Sequence, residues 1–246
     1  MIDSISADKI KLNSEKIMGY KLLRYLISQS GSISDLAEIF DVSIANLSRY
    51  HAKKVLPNLD LIELMLDYSV KHNILHELIK QNIEIDMISN LKIIDNSRLQ
   101  SNTIILDLIS YLISKTMLKS EKIDAIVTTE TDGIPFCMSL AHVLDLPSIF
   151  ATKSKPVKTP VYSIEIPKAS ARINNLHIPV HITEYGENFL VVDDVIRTGT
   201  TQQSLISLLT DVVGVNVLSG LILIGIGSQW QSLDMNGIPI DIVLSV

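Results

Sequence analysis

The chain has 246 residues, 47% of them hydrophobic, 20% charged and 5% aromatic, with a net charge of −6. That balance excludes general disorder and a uniformly basic nucleic-acid coat, and it leaves room for two small domains or one large one. The single cysteine, Cys137, forbids an intrachain disulfide and fits a reducing compartment. The stretch Met1-Ile-Asp-Ser-Ile-Ser-Ala-Asp8 lacks the positive start and apolar core of a secretory signal. The longest apolar run, around Leu218–Ile226, is interrupted by Ser219 and Gly220 and falls short of a membrane span. A cytoplasmic protein with no membrane partner is expected.

Residues 1–12 are mixed in character and are expected to form an arm or a frayed first turn. From Asn13 onward, Ile17, Leu22, Leu23, Leu26 and Ile27 recur at helical spacing, and Gly31 ends that helix. Residues Ser32–Phe40 form a short second helix, with Ser34 as its N-cap and the small Ala37 facing inward. Asp41-Val42-Ser43 is a turn, and Ile44–Lys54 is a third helix stopped near Pro57. Two helices that cross closely need a small residue at the crossing, which Ala37 supplies. They also need apolar residues around it, which Leu36, Phe40, Val42, Leu47 and Tyr50 supply.

Residues 33–52 therefore resemble a helix-turn-helix of the phage-repressor type, including the run Asn46-Leu47-Ser48-Arg49-Tyr50. Asp41 stands where a glycine often makes the left-handed turn, and Asp tolerates that conformation moderately well. The resemblance implies that helix 44–54 enters the major groove of double-stranded DNA. Ser43, Ile44, Ala45, Ser48 and Arg49 are its candidate contacts. Arg49 suits a bidentate contact to guanine, and Ile44 or Ala45 suits a thymine methyl. Ser43, His51, Lys53 and Lys54 suit phosphate. The alternative is a three-helix module that docks on a protein partner. Leu59–Tyr68 and Ile74–Asn82 are further amphipathic helices. No Gly or Pro marks the boundary that follows, placed at 83–90, so the division expected is 1–85 and 86–246.

The second half changes rhythm. Ser101–Leu118 is helical, with Ile104, Ile105, Leu108, Ile109, Leu112 and Ile113 on one side. Asp124–Thr129 reads as a strand, Gly133 opens a helix to His142 or Leu144, and Ser148–Thr152 is the next strand. Strand 189–193, helix 202–211, strand 217–226 and a final strand 240–244 follow. Strands alternating with helices predict an α/β fold, a parallel sheet covered on both faces with ligands at the strands' C-terminal ends.

The stretch Phe189-Leu-Val-Val-Asp-Asp-Val-Ile-Arg-Thr-Gly-Thr-Thr201 is the most informative in the chain. An apolar strand leads into paired carboxylates, then into a bend of small hydroxyl residues around Gly199, then into a helix. Such a bend exposes backbone N–H groups, glycine lets a phosphate come close, and the helix dipole favours negative charge. Thr198, Thr200 and Thr201 add hydroxyl donors. Asp193 and Asp194 cannot also hold phosphate, so they suit sugar hydroxyls or a metal. The segment resembles the phosphoribosyl-pyrophosphate (PRPP) loop of the type I phosphoribosyltransferases: four apolar residues, two acids, two or three variable residues, then Thr-Gly-x-Thr. The resemblance implies a type I phosphoribosyltransferase sheet flanked by helices, with a hood. Val195 and Arg197 belong to its ligand-binding stretch.

A second strand-to-helix junction, Thr128-Thr129-Glu130-Thr131-Asp132-Gly133-Ile134-Pro135, matches the family's pyrophosphate loop, whose orotate-like members carry Gly-Ile-Pro there. Glu130 and Asp132 make it acidic, which implies a bridging Mg²⁺ that arrives with PRPP. No residue is assigned as a dedicated protein ligand to that metal. Lys153 and Lys155, just past a strand end, are candidate pyrophosphate ligands; a solvated basic stretch is the alternative. Residues 156–188 are the expected hood, with alternating stretches at Val161–Ile166 and His177–Ile182. His177 and His181 read as strand-surface residues. The Lys-x-His-Gly run of orotate-specific members is missing, which argues against orotate transfer. Trp230, the single tryptophan, is placed to pack under the hood or to stack on a base.

The whole chain resembles regulators that fuse a helix-turn-helix to a phosphoribosyltransferase domain, such as the purine repressor of some bacteria. The expected function is a transcriptional regulator that senses PRPP or a purine nucleotide and acts as a homodimer on DNA. The alternative is an active Mg²⁺-dependent phosphoribosyltransferase.

Overall fold

The computed structural model describes residues 4–89, 91–118, 121–166 and 174–246. The N-terminal helices are α1 (Ser4–Ser30), α2 (Ile33–Ile39), α3 (Ile44–His51), α4 (Leu59–Lys71) and α5 (Ile74–Lys80). Helix α1 starts well before the expected Asn13. Its first turns contain no glycine or proline to break them, so the helix runs out beyond the segment that buries Leu22, Leu23 and Leu26. Gly31, at φ +72°, ends it.

The N-cap of α2 is Ser32, not Ser34. The Ser32 hydroxyl accepts from the backbone N–H groups of Ser34 (3.1 Å) and Asp35 (3.4 Å). Ala37 is buried, as are Leu36, Phe40 and Leu47 around it. Asp41 takes φ +50°, the left-handed turn expected of it. Ser43 caps α3 by accepting from the Asn46 N–H at 3.2 Å. Helix α3 ends at His51, short of the expected Lys54, because Lys53 adopts φ +56° and its N–H returns to the Tyr50 carbonyl.

The segment expected to be a plain boundary holds structure of its own. Strands β1 (Glu84–Ile88) and β2 (Leu91–Asp95) form an antiparallel hairpin, followed by the short helix α6 (Ser97–Ser101). Then come α7 (Thr103–Thr116), β3 (Ala125–Thr129), α8 (Ile134–Leu144) and β4 (Ser148–Ala151). An antiparallel ribbon follows, β5 (Val161–Ile166) with β6 (Asn174–Pro179), and the chain then turns through a 3-10 segment at Val180–Glu184. The second alternating stretch, expected over 177–182, is thus split between strand and 3-10 turn. Pro179 supplies no N–H to carry pairing further along that ladder.

The last elements are β7 (Asn188–Ile196), α9 (Thr200–Ser207), β8 (Asn216–Gly225) and β9 (Ile240–Ser245). Helix α9 widens into a π-turn at Leu208–Val213 before Gly214 closes it at φ +81°. Five strands form one parallel sheet in the order β4-β3-β7-β8-β9. Helices cover both faces, as the α/β reading requires. One face buries Leu190, Val192, Leu221 and Leu223 beneath α7 and α8. The other buries Val191, Ile222 and Val217 beneath α9 and the β5–β6 ribbon.

The apolar core of the N-terminal helices is continuous with the first of these faces. Helix α7 is the shared wall, touching α1, α4 and α5 on one side and α8 on the other. Two ion pairs tie α1 to α7: Lys21 to Asp107 and Lys115 to Glu15, both at 2.6 Å and both partly shielded from solvent. No helix among the described residues is long and apolar enough to cross a membrane.

Candidate functional site

Strand β7 runs three residues past the expected end at Asp193. Its ladder with β8 continues through Asp193–Ile222, Val195–Ile224 and Ile196–Gly225. Both acids therefore sit inside the strand, on opposite faces of the sheet, and both are buried. Each is satisfied from within the protein. Asp193 Oδ1 accepts from the Asp194 N–H at 3.0 Å, and its Oδ2 accepts from Gln202 Nε2 at 2.6 Å. Gln202 is itself buried on the inner face of α9. Burial, reinforced by the charge of Asp194, holds the Asp193 carboxyl well above the usual carboxylate range. The neighbouring Cys137 thiol is pushed up to about 12 by burial and by the charge of Asp193.

Asp194 faces the other way. Its Oδ1 accepts from the Val195 N–H at 2.8 Å. Its Oδ2 accepts from two side-chain amides of distant residues, Asn96 Nδ2 at 2.6 Å and Gln100 Nε2 at 3.0 Å. The next loop residue, Arg197, donates through Nη2 to the Lys92 carbonyl of β2 at 2.5 Å. Hairpin and helix 84–101 thus lie against the bend.

The bend itself is open at Thr198, which is exposed, while Thr200 and Thr201 are half-buried. The Thr198 and Thr200 hydroxyls stand 3.4 Å apart. Gly199 takes φ +82°, and a Cβ there would press on Met235 and Trp230, so glycine is required on both counts. No side chain caps α9. Its first N–H groups have no intrahelical acceptor and face the bend, the arrangement that favours an anion. Trp230 backs the bend from the 3-10 turn at Gln229–Ser232, packed against the core with its indole N–H on the Gly227 carbonyl at 3.2 Å.

The second junction lies beside the first. Thr129 ends β3 buried, Glu130 is half-buried, and Thr131 and Asp132 are exposed. Gly133 begins α8 so close to β7 that a Cβ would collide with the Thr128 hydroxyl and the Asp193 carboxylate. The Glu130 carboxylate accepts from the Lys153 N–H at 2.7 Å, which ties the start of the basic stretch to this loop. Lys153 and Lys155 are both exposed. Among the described residues no group of three or more His, Cys, Asp or Glu side chains could hold a metal by itself. Exposed Asp132 and half-buried Glu130 fit an ion carried mainly by a ligand's own oxygens.

His177 corrects an expectation. It is buried rather than on the strand surface, with its ring Nδ1 2.7 Å from the Ser163 hydroxyl and its backbone bridged to Thr152. His181 is exposed, edge-on to Tyr185 at 5.9 Å. Lys92, Asn96, Gln100 and Gln202 were not anticipated at all. Gln202 had a signal, an amide one helical turn after the glycine bend on an otherwise apolar face. The other three had none in their own neighbourhood.

Helix α3 leaves one side exposed. Ser43, Ala45 and Arg49 are exposed, Ser48 is half-buried, and Ile44 is 55% exposed although fully apolar. Lys53 and Lys54 lie in the turn after α3, both exposed, with the Lys53 ammonium 5.7 Å from the centre of the Tyr20 ring. The Ser43 hydroxyl is already engaged in capping.

Comparison with known proteins follows the same lines. The xanthine phosphoribosyltransferase of Lactobacillus helveticus is 29% identical over 123 residues, 47% of this chain and 64% of that enzyme. The purine biosynthesis transcriptional repressor PurR of Bacillus subtilis is 28% identical over 109 residues, 42% of this chain and 38% of the repressor. The match thus spans less than two thirds of either relative. The crystal structure of adenine phosphoribosyltransferase from Thermoanaerobacter pseudethanolicus superposes with a TM-score of 0.57 at 21% identity, covering 69% of this chain and 99% of that one, which speaks to the fold. The family model described as the phosphoribosyl transferase domain matches residues 95–218, a span holding β3, β4 and β7 of the sheet, both anion-type junctions and the amides on Asp194. With its defining bend and half its length accounted for in this way, the chain belongs to the phosphoribosyl transferase domain family.

Proposed function

We propose that the protein is a DNA-binding transcriptional regulator whose phosphoribosyltransferase-like domain, residues 86–246, senses PRPP or a purine nucleotide. Residues 1–85 are its DNA-binding module. The observation that carries this reading is the union in one chain of the threonine-glycine bend with helices of helix-turn-helix form whose outer face is exposed. Ala37 and Leu47 are buried at the crossing while Ile44, Ala45 and Arg49 stay exposed. An exposed isoleucine at the start of α3 and an exposed arginine in its last turn suit a groove that offers both methyl groups and guanine acceptors. The resemblance of part of the chain to the Bacillus subtilis repressor supports the same reading.

In this account the sugar phosphate rests on the free N–H groups of α9 and the hydroxyls of Thr198, Thr200 and Thr201. Asp194 accepts a ribose hydroxyl, while Asp193, sealed by Gln202, sets the shape of the floor. Residues Thr129–Gly133, Lys153 and Lys155 face the pyrophosphate. Mg²⁺, carried by the ligand, offsets charge between its phosphate oxygens and the acidic loop. A homodimer would present two copies of α3 to a two-fold site. Apolar side chains exposed on the hairpin, among them Met87 at 64% and Leu91 at 62%, support a partner surface there.

The second reading, an active phosphoribosyltransferase, is favoured by the resemblance to the Lactobacillus helveticus enzyme. One experiment separates the two. Retention on duplex DNA is followed against salt with and without PRPP, and pyrophosphate release from PRPP is followed with each free purine base. The regulator reading expects salt-dependent retention that PRPP changes. Pyrophosphate release without DNA retention would replace it with the enzyme.

A further inference from the structure

The two amides on Asp194 come from α6 and its cap. Asn96 and Gln100 are four residues apart, so both side chains leave one face of the helix. They meet the same carboxylate oxygen, at 2.6 and 3.0 Å. A carboxylate only accepts, so each amide must turn its NH₂ group toward it. Among the described residues that choice leaves Gln100 Oε1 buried without a partner. A buried acceptor is expensive to leave unpaired, so Asp194, and not packing alone, dictates the pose of Gln100. Three donors occupy Asp194: Asn96, Gln100 and the Val195 N–H. A carboxylate offers about four acceptor positions. A sugar hydroxyl must take the last position or displace an amide, and in either case the bonds to α6 respond.

The connection extends along the chain. The Arg197 contact to the Lys92 carbonyl binds the bend to β2, just before α6. Residues 84–101 follow directly on α5, the last N-terminal helix, and lead into α7, the wall shared with the sheet. We propose that Asn96 and Gln100 are positioning residues of the pentose site: they hold the Asp194 carboxylate toward the sugar hydroxyls and pass its occupancy to segment 84–101, which begins at the boundary of the two modules. This inference rests on reading the bend as a pentose-phosphate site. Coupling of this kind is reciprocal, so what the ligand does to α6, α6 does to the ligand.

The test uses the full chain and two probes, ribose 5-phosphate and inorganic pyrophosphate, titrated against wild type, Asn96→Ala and Gln100→Leu. Gln100→Leu also removes the unpaired oxygen, so it is the variant expected to fold. Loss of a charge-assisted bond predicts binding of ribose 5-phosphate weakened about tenfold in each variant. Pyrophosphate, which has no sugar hydroxyl, stays within about twofold. Hydrogen exchange over residues 84–101 responds to ribose 5-phosphate in wild type and ceases to respond in Gln100→Leu. Equal losses for both probes, or no loss for either, would overturn the proposal while leaving the pentose site standing. Failure of wild type to bind ribose 5-phosphate at all would overturn both.

Discussion

Gly133→Ala tests the packing at the centre of the site. The residue has φ −71° and ψ −16°, an ordinary helical conformation open to any side chain. An alanine there carries no backbone strain, and any loss reports crowding alone. The added methyl meets the Thr128 hydroxyl and an Asp193 oxygen, both on buried strand residues that cannot swing into solvent. Overpacking of this kind costs about 1–3 kcal/mol. Alanine's better helix propensity returns less than about 1 kcal/mol of that. At roughly 2–4 °C per kcal/mol for a chain of this size, the melting temperature should fall by up to about 10 °C. Differential scanning calorimetry measures it, and isothermal titration with PRPP should show weakened binding as Asp193 is displaced. Combining the change with Thr128→Ala should recover part of the loss, because one of the two colliding atoms is gone. A Gly133→Ala protein as stable as wild type, with unchanged PRPP affinity, would refute the close approach of α8 to β7.

Four further outcomes follow from the same structure. Asp193 carries a raised folded-state pKa, so its contribution to stability is greatest below the unfolded value of about 4 and is lost as pH rises toward the folded one. Urea unfolding of wild type and Asp193→Asn from pH 4 to 8 should therefore show the difference moving in favour of the variant as pH rises; a pH-independent difference would contradict the burial of this carboxyl. Cys137, buried with its thiol pushed up to about 12, should resist alkylation at pH 8 until denaturant is added. Ser32→Ala should cost about 1 kcal/mol through loss of the α2 cap, whereas Ser34→Ala should cost little, read by thermal melts. Arg49→Ala should weaken duplex retention by about 1–3 kcal/mol and relax discrimination at one base pair without changing the melting temperature; unchanged retention and discrimination would remove Arg49 from the DNA interface.

The parts of the fold that could be read in advance are those whose signal is local. The bend after β7 declares itself because glycine, threonines and paired acids must be contiguous to form an anion cradle. The helix-turn-helix declares itself because Ala37, Leu36, Phe40 and Leu47 sit at fixed offsets around one crossing. The β1–β2 hairpin stayed hidden although its residues alternate. Its strands are short and largely exposed, and the Ser89-Asn90 pair between them lacks the glycine that marks most two-residue hairpin turns. Asn96 and Gln100 lie 98 and 94 residues from the acid they hold, a pairing that only the folded topology creates. The strand expected at 189–193 stops at the first acid because charge usually ends a buried run. Here β8 goes on pairing with the backbone while Gln202, Asn96 and Gln100 satisfy the side chains. The burial of His177 likewise depends on Ser163 and Thr152 across two ladders.

The measurement closest to the centre of the account is calorimetric titration of the full chain with PRPP in the presence and absence of Mg²⁺, beside Thr198→Ala and Asp194→Ala. The account predicts one site per chain in wild type, tighter with Mg²⁺, with binding weakened by at least about tenfold in each variant while both remain folded by circular dichroism. Wild-type binding that is absent, or that survives both substitutions unchanged, would contradict it.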